Sequence, residues 1–175
     1  MTHRDIPGWF DFPDLYTFAG LRGGRMVEVG AWLGCSSVWL GLMKKLGAPI
    51  TELHIVDKFD GMVNTDVKMP PDEHYRRFQD NMSACGVLDQ MIVHRKESTE
   101  AAKDFVDGSL DFVFIDGDHM YNDVKRDILA WRNKLKPDGL LSGHDILEKG
   151  VADAVNELVP NFIVMHNCWL DRKIV

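Results

Sequence analysis

Residues Phe112–Asp145, FVFIDGDHMYNDVKRDILAWRNKLKPDGLLSGHD, decide the fold of this chain. The apolar run Phe112–Ile115 reads as a strand, and residues 121–135 as a helix burying Val124, Ile128, Trp131 and Leu135 at helical spacing. After the turn Lys136–Gly139, Leu140–Ser142 reads as a second strand. If the two strands are parallel, their carboxyl ends lie side by side, on the edge where open α/β sheets bind ligands. Asp116, Asp118, His119, His144 and Asp145 then converge there, and this cluster is the expected reactive centre.

The same alternation extends outward in both directions. Upstream, Met26–Val29, Glu52–Val56 and Met91–His94 read as strands. One helix between them carries Trp39, Leu42, Met43 and Leu46 on its apolar face, and another carries Tyr75, Phe78, Met82 and Cys85. A short helix runs from Ser98 through Phe105, and an earlier one, after an irregular arm over residues 1–10, presents Leu15, Phe18 and Ala19. Asp11, Ser36 or Ser37, Asp72, Ser98 and Asp118 stand where helix caps are expected. Downstream, Val151, Ala154, Val155 and Leu158 mark a last helix, and residues 162–165 and 169–175 an antiparallel pair. The fold class is therefore α/β, a Rossmann-like three-layer sandwich with a mostly parallel sheet and an antiparallel C-terminal strand pair.

The 175 residues suit one domain: an N-terminal arm and short helix over 1–24, then the core over 25–175. The composition, 45% hydrophobic and 27% charged, excludes disordered and fibrous classes. A net charge of −7 disfavours nucleic acid, and the lack of a long apolar run or a secretory leader points to a cytoplasmic protein with no membrane partner. Cys35, Cys85 and Cys168 have the spacing of neither a disulfide framework nor a metal site. The unpatterned segment 59–71 is long enough for a lid.

Gly30-Ala31-Trp32-Leu33-Gly34 joins the first strand to its helix, a turn that invites a nucleotide cofactor. A dinucleotide fingerprint needs glycine at 30, 32 and 35, but Trp32 and Cys35 stand at two of those places. An NAD-dependent oxidoreductase is accordingly the weaker reading. S-adenosylmethionine has no phosphate to cradle and carries positive charge. A cation near Glu28 would offset the cost of a carboxylate in a buried strand, although pairing with Arg22 or Arg25 would do the same. Asp57, closing the second strand, is placed to accept the hydroxyls of a ribose, or else is simply solvated.

VEVGAWLGCSS, HIVDKFDG, FIDGDHMYNDVKRDI and KLKPDGLLSGHDI together resemble the class I S-adenosylmethionine-dependent methyltransferases, in particular the small-molecule group of macrocin and other sugar O-methyltransferases. The resemblance spans residues 25–175 and implies an O-methyltransferase acting on a hydroxyl of a sugar or other small metabolite. It implies cofactor contacts at Glu28, Gly30, Ala31, Gly34, Ser36, Ser37, Asp57 and Asp116, with Lys96, Glu97 and Ser98 bordering the adenine. It further implies His119 as base beside Asp116, and a divalent cation, Mg²⁺ or Mn²⁺, on Asp116 and Asp145, with His144 where some relatives have an acid. The hard carboxylate oxygens of Asp116, Asp118 and Asp145 suit Mg²⁺, and a histidine ligand shifts the preference toward Mn²⁺ or Fe²⁺. The N-terminal part is short for this group, which leaves the acceptor pocket to be completed by a partner subunit of a homo-oligomer or by loop 59–71. Trp9, Phe10, Phe12 and Trp32 can wall such a pocket or can be scattered aromatics. A domain that binds the cofactor without turnover is the remaining alternative.

Overall fold

The structure is a computed structural model, and it describes residues 1–61 and 69–171. Its sheet runs in the order β3-β2-β1-β4-β5-β7-β6. The strands are β1 (Gly24–Val29), β2 (Ile50–Asp57), β3 (Ile92–Arg95), β4 (Leu110–Ile115), β5 (Leu135–Gly143), β6 (Phe162–Met165) and β7 (Cys168–Asp171). The first five are mutually parallel, and β7 runs antiparallel to both β5 and β6.

Among the described residues six α-helices cover the sheet: α1 (Pro13–Arg22), α2 (Ser37–Lys45), α3 (Pro71–Ala84), α4 (Ser98–Ala102), α5 (Tyr121–Trp131) and α6 (Lys149–Leu158). The period of two along each strand divides the core between the faces. Met26, Phe112 and Phe114 pack with Leu15, Tyr16, Val38 and Phe78 of α1, α2 and α3. Val27, Val113 and Ile115 pack on the other face with Ala101, Ile128 and Val155 of α4, α5 and α6. Both faces are apolar because both are covered, which is why these strands read as near-continuous hydrophobic runs.

Several local expectations are corrected by tertiary packing. Asp11 does not cap α1; Phe12 holds that position without a side-chain cap, and Phe18 faces solvent. Asp72 lies inside the first turn of α3 and pairs with Arg95 instead. Neither Ser36 nor Ser98 makes a side-chain cap bond, and α4 stops at Ala102. Asp118 accepts the Met120 N–H in a local turn before α5, but Met120 is the capping residue. Helix α5 ends at Trp131, and Leu135 opens β5, where it pairs with Leu110. Leu46, expected on the apolar face of α2, is 85% exposed beyond its end. Of the expected lid 59–71, residues 62–68 lie outside the described residues, as do 172–175 of the expected last strand.

Candidate active site

The strand order reverses between β1 and β4, and in open α/β sheets such a switch point, at the strands' carboxyl ends, is where the ligand crevice forms. Backbone bonds tie the end of β1 to both neighbours, with the Asp116 N–H after β4 donating to the Val29 carbonyl at 2.7 Å and the Gly30 N–H to the Val56 carbonyl of β2 at 2.8 Å. Gly30 has φ 83°, and a Cβ there would sit 2.0 Å from the Asp116 carbonyl oxygen. Only glycine lets the turn pass so close to the second loop.

Asp57 fixes the turn. Its Oδ2 accepts the Ala31 and Trp32 N–H groups at 2.8 and 3.0 Å, and its Oδ1 accepts that of Phe59 at 2.7 Å. A carboxylate has about four acceptor positions, so one is left for a ribose hydroxyl. Trp32 is held at φ 49°, a left-handed conformation unusual for a bulky residue. His74 supports it from α3: its Nδ1 accepts the Gly61 N–H, so its Nε2 carries the proton and donates to the Trp32 carbonyl at 3.2 Å.

Glu28 is fully buried on the α1 side of β1. Arg25 pairs with Glu52 and Arg22 donates to the Asp138 carbonyl, so the alternative of an arginine partner does not hold. Three hydroxyls serve Glu28 instead: Tyr16 at 2.9 Å and Ser36 at 2.5 Å on Oε1, Ser37 at 2.6 Å on Oε2. Burial pushes its pKa up to about 7 in spite of these donors. The two serines anchor the start of α2 through this acid.

The second loop follows the expected convergence. Asp116, His144 and Asp145 bring ligand atoms within 4.8 Å of one another. His144 Nδ1 lies 3.5 Å from Asp116 and 3.3 Å from Asp145, and its Nε2 lies 3.0 Å from Asp11. Burial works against its charge, but the bonds to Asp116 and Asp145 prevail and push its pKa up to about 10. His119 Nε2 meets Asp145 Oδ2 at 2.8 Å, and that bond raises the pKa of His119. Burial would raise Asp145, yet the two histidines hold it well below the usual carboxylate range. Burial lifts Asp116 above that range. Asp145 itself has φ 57°, which Asp tolerates better than most residues. Asn167 donates to its Oδ1 at 2.9 Å.

Asp11, Tyr16 and Asn167 are site residues that the sequence did not disclose. Asp11 offered a helix cap, a competing local explanation, and its partner His144 is 133 residues away. The arm around it is part of the core: Phe12 is fully buried, with its ring centroid 4.8 Å from that of His144. Phe12 is therefore no wall of an open pocket, whereas Trp9 is 70% exposed. Ser98 turns away from the crevice toward α5, accepting the Trp131 Nε1–H at 2.8 Å and bonding the buried Asp127. Lys96 pairs with Asp104, and Glu97 lies 3.7 Å from Lys58.

Donor chemistry at this edge suits both expected groups. At the Gly30 turn Asp57 keeps one acceptor position for a ribose hydroxyl. Two carboxylates and one imidazole make a compact donor set for a divalent cation.

A Rossmann-like sheet with an antiparallel β7, a glycine turn after β1 and an acid–histidine cluster beyond β4 and β5 defines a class I methyltransferase domain. The family described as "Methyltransferase domain" matches residues 27–146, more than half of the chain, and the chain belongs to that family. Among curated proteins it is similar to uncharacterized protein y4gI of Sinorhizobium fredii (strain NBRC 101917 / NGR234), 32% identical over 125 residues. That match covers 71% of this chain but only 13% of the relative's length.

Solved structures share the fold at low identity. Cofactor-bound Rv0187 from MTB has a TM-score of 0.69 at 15% identity, over 98% of this chain and 85% of that one. A putative caffeoyl-CoA O-methyltransferase from Staphylococcus aureus gives 0.67 at 14%, over 95% and 85%. CalS11, a TDP-rhamnose 3'-O-methyltransferase of calicheamicin biosynthesis, gives 0.63 at 11%, over 91% and 76%. Among the described residues, no helix is long and apolar enough to cross a membrane.

Proposed function

We propose that residues 1–175 act as one S-adenosylmethionine-dependent O-methyltransferase domain, with a hydroxyl of a sugar or other small metabolite as acceptor and His119 as base. The observation that carries this reading is the His119–Asp145 pair at the sheet edge, joined through Asp116 to the Gly30 turn. When bound, S-adenosylmethionine supplies an electrophilic methyl group on a sulfonium. The Gly30–Gly34 turn and Asp57 hold the backbone where that ligand approaches, and Glu28 fixes the serines that open α2. Lys96 and Glu97 border the adenine side.

A protonated hydroxyl is a poor nucleophile, so the chain must remove its proton as the methyl group moves. His119 Nε2 is committed to Asp145, which leaves Nδ1 to take that proton. Asp145 orients the ring and, with Asp116, stabilises the imidazolium that results. Asp116, Asp145 and His144 would hold Mg²⁺ or Mn²⁺, which supplies positive charge that lowers the pKa of a hydroxyl. His144 must lose its proton to act as a ligand, so loading releases protons to solvent. The sugar acceptor is supported by the shared fold of CalS11. A cytoplasmic setting without nucleic-acid or membrane partners accords with the net charge of −7.

Calorimetric titration with S-adenosylhomocysteine, with and without Mn²⁺ or Mg²⁺ and with NADH as control ligand, tests the reading. Binding of S-adenosylhomocysteine without binding of NADH supports it. A folded sample that binds NADH, or neither ligand, overturns it.

A further inference from the structure

Beside His119 the structure holds a pocket of about 10 Å³. Asp116, His119, His144, Val124, Val151 and Trp169 are among the residues that line it. That volume is about the space one water molecule needs, ~10–15 Å³. Trp169 is fully buried, and its Nε1–H has no hydrogen-bond partner among the described residues. A Cβ on Gly143 would lie 2.7 Å from Trp169 Cε2 and Cζ2, so the indole packs directly on the residue just before His144.

A buried N–H without a partner is costly, and the identity of the missing partner follows from charge. A metal cation has no lone pair with which to accept the Trp169 N–H, so a cation held by Asp116, His144 and Asp145 would leave that donor unpaired. An anion is disfavoured by Asp116 and by Asp118, which also lines the pocket. A small neutral group that accepts one hydrogen bond and donates two meets both demands.

We propose that this pocket is a built site for a single resident water, which accepts the Trp169 Nε1–H and donates to the acid cluster. Trp169 is thereby a positioning residue: through the water it holds the Asp116 carboxylate. The site itself is independent of the methyltransferase reading, whereas its role in positioning rests on it.

The test uses the full chain labelled with ¹⁵N, and water as the probe. The Trp169 indole resonance is identified by its loss in Trp169→Phe, which keeps the ring packing and removes the donor. A cross-peak from this N–H to a long-lived water, together with a water in the pocket of a high-resolution crystal structure, supports the site. Absence of the cross-peak, or a dry pocket in that crystal structure, overturns it. Val151→Leu provides a second variant in case Trp169→Phe does not fold: the added methylene fills the pocket, and the cross-peak should disappear while the indole signal stays. Survival of the cross-peak in a folded Val151→Leu protein places the water elsewhere and overturns the site. A water cross-peak in a protein that binds no S-adenosylhomocysteine would leave the water site standing and remove its catalytic role.

Discussion

Glu28→Gln should change how the stability of this protein depends on pH. Glu28 is fully buried, and its folded pKa of about 7 stands above the ordinary 4.5 because burial penalises the charged form. The gap between those values, at about 1.4 kcal/mol per pH unit, corresponds to ~3 kcal/mol. The sign follows from the raised folded value. The unfolded chain releases this proton near pH 4.5 and the folded chain only near 7, so the contribution is complete below 4.5 and is lost as pH rises through 7. Glutamine has nearly the same shape and does not titrate, and the hydroxyls of Tyr16, Ser36 and Ser37 can rotate to serve it. Urea unfolding of both proteins at pH 4.5, 6, 7 and 8.5 gives the difference in unfolding free energy, in which other titrating groups cancel. The wild type should lose ~3 kcal/mol relative to Glu28→Gln across that range, with most of the change between pH 5 and 8. Parallel curves would refute the claim that burial, rather than its hydroxyl partners, governs Glu28.

Three further outcomes are expected. Phe12→Ala should cost about 3–5 kcal/mol in urea unfolding, because it empties a fully buried site packed against Phe10, Tyr16, Phe114 and His144; a loss below ~1 kcal/mol would mean the arm is not part of the core. Gly30→Ala should abolish S-adenosylhomocysteine binding in calorimetry, since its Cβ would collide with the Asp116 backbone at 2.0 Å; retained affinity would show that the turn can shift. Asp145→Asn should lower the His119 pKa toward or below 6.5 in an NMR titration, since the bond to Asp145 is the main cause of its rise. In the wild type that raised value stabilises the fold below pH 6.5 and the effect fades as pH rises through the folded pKa, so the variant should be the less stable protein on the acid side.

The sequence by itself determined the sheet and one edge of it. Phe112–Ile115 and Leu140–Ser142 flank a helical pattern, and a strand–helix–strand unit has few ways to fold; parallel pairing follows, and with it the meeting of Asp116, His144 and Asp145. Gly30 and Asp57 were legible for the same reason, as residues at the carboxyl ends of adjacent strands. The partners of the polar side chains were decided only by the tertiary structure. Ser36, Ser37, Asp72, Ser98 and Asp11 all fit a helix cap on local grounds, because a cap needs only the next few residues. In the fold each finds a partner on another element: Glu28 of β1 for the two serines, Arg95 for Asp72, Trp131 for Ser98 and His144 for Asp11. Apolar periodicity survives projection onto one dimension because burial acts on whole faces of an element. A hydrogen bond is short and directional, so the choice between a near partner and a distant one is settled only when packing brings the distant one within about 3 Å.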